Sequence, residues 1–124
     1  MNKKVEYSFY KLDVWKLGMN IVNEIYSMTK NFPNDEKFCL VAQIRRSAIS
    51  IPLNIAEGSA KRTNKDFANF VRIALGSLME TMTCVEIALG QKYINKEIYD
   101  RLNKIIQEEY FKLIALDKFL TKSN

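Results

Sequence analysis

The side chains best suited to chemistry in this sequence are basic: Arg45 beside Arg46, then Lys61, Arg62 and Lys65, and Arg72 seven positions further on. A guanidinium presents a planar fork of donors that matches phosphate oxygens, and lysine adds a mobile point charge, so this set suits a phosphate backbone. Neighbours on a helix point roughly 100° apart, so Arg45 and Arg46 cannot share one surface. The alternative for any one of these residues is a solvated charge, or a salt bridge to Glu57 or to a carboxylate of a neighbouring helix or subunit. The net charge of +5 leans toward an anionic partner such as nucleic acid.

Catalytic chemistry has little to work with. Histidine is absent, which removes the commonest general base and metal ligand together. There is no GxGxxG, no GxxxxGKS/T, no nucleophile elbow and no CxxC. Glu57, Glu80, Glu86 and Glu109 lack the spacing of a di-iron bundle, which also needs histidine. The expectation is a protein that is not an enzyme and takes no cofactor, no metal and no small-molecule substrate. Cys39 and Cys84 lie among apolar helix formers and read as free core thiols in a reducing compartment. No apolar stretch follows the lysines of the start as a signal peptide requires, and no run reads as a membrane span, so a cytoplasmic protein with no membrane partner is expected.

Four long helices must position these groups. In 124 residues there are only 4 glycines and 2 prolines, a composition of long helices with short connections, and the length suits one domain, 1–124. The first helix is expected over about 11–30, with Val14, Leu17, Ile21, Ile25 and Met28 at helical spacing. Asn31 to Glu36 reads as a turn in which Asn34 or Asp35 caps the second helix, about 35–61. The third, about 65–92, follows a cap at Thr63, and the fourth, about 96–121, follows Asn95. Glu109 falls on the inner face of the fourth helix, most simply at its edge, and an N-terminal arm frays ahead of the first. The fold class is all-α: an antiparallel up-down-up-down four-helix bundle.

The second helix carries more than a core needs. Val41, Ile44, Ala48, Ile51 and Ile55 form one stripe, and Ala42, Ile49, Leu53, Ala56 and Ala60 form a second about 140° away. Between them runs a polar arc of Gln43, Arg46, Ser50, Asn54, Glu57 and Lys61. The second stripe is either a candidate oligomer face or a broader core. Pro52 removes one backbone hydrogen bond, and because the apolar spacing continues in phase through Ile55, a kinked single helix is expected. The aromatics, among them Phe9, Trp15, Tyr26, Phe32, Phe111 and Phe119, are interleaved with the stripes as core and interface anchors.

The segment QIRRSAISIPLNIAEG, Gln43 to Gly58, resembles the signature of the four helix bundle proteins also called 23S ribosomal RNA intervening-sequence proteins. LDVWK at Leu12 to Lys16, FPNDE at Phe32 to Glu36 and FVRIALGSLMET at Phe70 to Thr81 agree in order. The resemblance implies a bacterial four-helix protein with a tendency to form a ring-like homopentamer, similar in fold to nucleic-acid-associated accessory proteins of diversity-generating retroelements. Carried onto this chain, Gln43, Arg45, Arg46, Ser50, Asn54, Glu57 and Gly58 match the signature. They form either a buried hydrogen-bonding network that fixes the oligomer or a nucleic-acid surface. Two functions follow as expectations: an RNA-associated homo-oligomer, or a protein-interaction scaffold that binds no nucleic acid.

Overall fold

The computed structural model describes residues 4–122, so the ends of the expected domain and the first three residues of the arm lie outside the described residues. The helices are α1, Asp13–Thr29; α2, Leu40–Ser59; α3, Asn64–Gly90; and α4, Lys96–Leu120. Each packs against the one before and after it, and α4 closes back onto α1. That is the up-down-up-down bundle expected from short linkers.

The inner stripes behave as their spacing dictates. Ile21, Ile25, Ile44, Ile51, Ile55, Leu78, Val85, Leu102 and Leu113 are fully enclosed, and full burial of each such side chain is worth about 1.5–3 kcal/mol. Thr63 accepts from the amide of Asp66 at 3.1 Å, and Asn95 accepts from that of Ile98 at 2.9 Å, so α3 and α4 begin at the expected caps. α2 runs unbroken through Pro52.

Five expectations need correction. α2 starts at Leu40 instead of Asp35, because Asn34–Glu36 forms a separate 3-10 turn after Pro33. The group that meets the first amide of α2 is the Glu36 carboxylate, 3.3 Å from the Leu40 nitrogen, and not Asn34 or Asp35. Its second oxygen accepts from the Tyr93 hydroxyl at 2.8 Å, tying the start of α2 to the α3–α4 turn. Cys84 is buried, but Cys39 is exposed: it precedes the first turn in a non-helical conformation that faces it outward. The arm is not frayed throughout, since Ser8–Lys11 makes a 3-10 turn whose Phe9 and Tyr10 rings lie 5.1 and 5.6 Å from that of Trp15. The aromatics divide between core and surface, as anchors do: Phe32 is buried, Trp15, Phe67, Tyr93 and Tyr99 pack half-buried against the core, and Phe111 and Phe119 are exposed on α4. Finally, α3 does contain a window of 18 residues with mean hydropathy 1.4, long and apolar enough to cross a membrane by length and composition. A third of that window, 33%, is buried, and on the inner face of α3 Val71, Ala74, Leu78 and Val85 are enclosed.

The turn after α3 holds Lys92 at φ 64°, a left-handed conformation that glycine adopts most readily. It lets the Tyr93 amide reach the Ala88 carbonyl at 2.9 Å and close the helix end. Lys92→Gly is expected to raise stability by about 1 kcal/mol, read as an upward shift of the thermal midpoint.

Candidate functional site

α2 presents one face to α3 and another to α1. Toward α3 it builds a polar seam. Ser50 and Ser77 hydroxyls lie 2.7 Å apart, and Ser47 and Thr81 hydroxyls 2.8 Å apart. The Asn54 amide donates to the Ser50 carbonyl at 2.8 Å and to its hydroxyl at 2.9 Å, and the Gln43 amide donates to Glu80. Three of the four signature polar residues, Gln43, Ser50 and Asn54, therefore join contacts within the chain, while the Glu57 side chain is exposed and takes no partner among the described residues. Sequence reasoning missed Ser47, Ser77, Glu80 and Thr81. The spacing of Ser77 and Thr81, one turn apart, was the available signal. Close approach of the two helices follows from Gly58, where a Cβ would stand 2.6 Å from that of Phe70.

Toward α1, Ile49, Leu53 and Ala56 of the second stripe join Pro52 in one wall of an apolar groove of about 540 Å³, lined also by Trp15, Met19, Val22, Asn23 and Tyr26 of α1 and by Phe9. Leu53 is 60% exposed. Ala42, Ile49 and Ala56 are half-buried and Ala60 is exposed, so this stripe is not absorbed into the core. Its continuation one turn back is Arg45, whose guanidinium stacks 4.4 Å from the Tyr26 ring centre and donates through Nε to Thr29 Oγ1 at 2.9 Å. Arg45 thus packs on Tyr26, which lines the groove.

The six basic residues do not converge. Arg45 serves α1, and Arg72 pairs with Asp117 of α4 at 3.2 Å. Lys61, Arg62 and Lys65 share the exposed corner between α2 and α3, where the Lys61 ammonium lies 5.0 Å from the Phe70 ring centre. Arg46 is exposed further along α2. No carboxylate forms a salt bridge with Arg46, Lys61, Arg62 or Lys65 among the described residues.

The expected edge position of Glu109 is wrong. Its side chain is fully enclosed, with both carboxyl oxygens unpartnered among the described residues. Helical geometry places it between Ile106 and Leu113 on the inward face, and Gly18 opposite leaves space for it. Burial pushes its pKa from 4.5 up to about 8; the neighbouring Lys112 opposes that shift and Glu108 adds to it. Burial also raises the Cys84 thiol, with Glu80 adding to the effect, which keeps it protonated and unreactive. No group of three or more metal-ligating side chains gathers among the described residues.

The family model described as 23S rRNA-intervening sequence protein matches residues 10–115 of this chain. A crystal structure at 1.70 Å resolution of a protein of unknown function from the S23 ribosomal protein family of Bacteroides thetaiotaomicron is similar, with 31% identity and a TM-score of 0.78. The similarity covers 85% of this chain and 98% of that one. No curated protein is similar enough in sequence to match.

Proposed function

Because this chain belongs to the 23S rRNA-intervening sequence protein family, we propose that it is a non-enzymatic, self-associating bundle that binds RNA or other nucleic acid through its phosphates. The observation that carries the phosphate-binding part is the corner of Lys61, Arg62 and Lys65, exposed and without carboxylate partners among the described residues. Arg46 extends it along α2, whereas Arg45 and Arg72 are already engaged within the protomer. A corner of this kind positions a backbone and reads no bases. Self-association uses the α1–α2 groove, with a homopentamer as the expected assembly, and a cytoplasmic setting fits the two unpaired cysteines.

Filter binding to a structured RNA over a salt series tests this. Lys61→Ala, Arg62→Ala and Lys65→Ala together should lower affinity at low salt and flatten the log–log salt dependence by roughly 2–3, near one counterion per contact. Absence of binding at low salt, or binding that the triple variant leaves unchanged, would refute the reading.

A second reading, a protein-interaction scaffold, is favoured by the outward rings of Phe38, Phe111 and Phe119, which are 89%, 67% and 69% exposed. Exposed aromatics of this size are typical anchors for another protein. Recovery of a defined protein by pull-down after nuclease treatment would select this reading; loss of every partner with nuclease would select the first.

A further inference from the structure

Glu109 is a buried titratable side chain that none of the surfaces above uses. A Cβ placed on Gly18 of α1 would stand 3.2 Å from its Oε2, 3.4 Å from Ile51 Cγ2 and 3.6 Å from Pro52 Cβ. The carboxyl therefore lies where α1, α2 and α4 meet, and the missing side chain at Gly18 is what makes room for it. Pro52 also lines the groove, so the carboxyl is close behind the groove floor. The charges acting on it are Lys112 and Glu108 of its own helix, which oppose each other. α1 and α2 meet it with Gly18, Ile51 and Pro52, none of which titrates, and Glu109 is the one acidic or basic residue in the buried set among the described residues, so α3 brings no buried charge to it either.

We propose that Glu109 is a proton-operated latch on α1: protonated, it is a neutral group against which Gly18 closes; ionised, it drives α1 away from α2 and α4 and opens the groove floor to water. An interior carboxylate without a partner must give up its charge or gain access to solvent. α1, like α4, is an end helix tied to the others by one connection, and it is the one that meets the carboxyl with no side chain of its own, at Gly18. With the folded-state value near 8 lying above the ordinary 4.5, the closed packing is fully favoured below pH 4.5 and is lost progressively as pH rises through about 8. The latch needs neither RNA nor a second copy, so it stands or falls separately from the reading above.

The single tryptophan, Trp15, lies on α1 in the groove wall and reports the opening directly. In the full-length chain, its emission should shift to the red as pH rises, with a midpoint between the ordinary 4.5 and about 8, below the range where tyrosines ionise at about 10. Glu109→Gln, which keeps the shape and removes the ionisation, should abolish the shift. A wild-type chain with no transition, or an identical transition in Glu109→Gln, overturns the proposal. If the glutamine variant does not fold, carbon-13 NMR of the Glu109 carboxyl in the wild-type chain decides: titration together with the Trp15 shift supports the latch, and titration near the ordinary glutamate value overturns it.

Discussion

Gly58→Ala is expected to destabilise the bundle by about 1–3 kcal/mol, read as a lowered denaturation midpoint. The added Cβ would stand 2.6 Å from Phe70 Cβ and 2.9 Å from Phe67 Cδ1. The first of these is an atom fixed to the α3 backbone, so rotation of a side chain cannot relieve the overlap and the helices themselves must part. Parting them stretches the seam of Ser47, Ser50, Ser77 and Thr81, whose hydroxyl bonds between the helices contribute about 0.5–1.5 kcal/mol each. Gly76→Ala is the control. Nothing lies within 4 Å of the Cβ it would add, so it should stabilise α3 by about 0.5–1 kcal/mol through helix propensity alone. Equal effects at the two glycines would mean that α2 and α3 do not approach at Gly58 as described.

Leu53→Asp is expected to dissociate the proposed assembly while leaving the single chain folded. Leu53 is 60% exposed within the protomer, so its replacement should change unfolding stability by no more than about 0.5 kcal/mol. At an interface the same change forfeits about 1.5–3 kcal/mol of apolar burial and adds the cost of dehydrating a carboxylate. A loss of about 3 kcal/mol weakens association roughly 100-fold per contact. Sedimentation velocity at matched concentrations, with circular dichroism as the check on folding, separates the two quantities. A wild-type chain that is already monomeric, with Leu53 left in water, would remove the groove as a self-association face.

The two apolar stripes of α2 were visible from spacing because a helix repeats every 3.6 residues, and residues at steps of three and four must share a side. Their different fates were not. Ile44, Ala48 and Ile51 are enclosed while Ile49, Leu53 and Ala56 line an open groove, and only the placement of α1 decides which stripe is covered. Arg45 shows the same limit: its type suggested phosphate, but the ring of Tyr26 and the hydroxyl of Thr29 occupy it.

By itself the sequence determined the all-α class, the number and order of the helices, the caps at Thr63 and Asn95 and the likeness to the 23S rRNA-intervening sequence family, because periodicity, capping and motif order are properties of local chain. The tertiary structure decided that Ser50 and Asn54 bond within the protomer, that Lys61, Arg62 and Lys65 lie without salt-bridge partners at one corner, and that Glu109 is buried against Gly18. Those outcomes depend on which helix lies opposite which residue. A single helix fixes the direction of a side chain, but the neighbour that meets it is fixed only when the bundle closes.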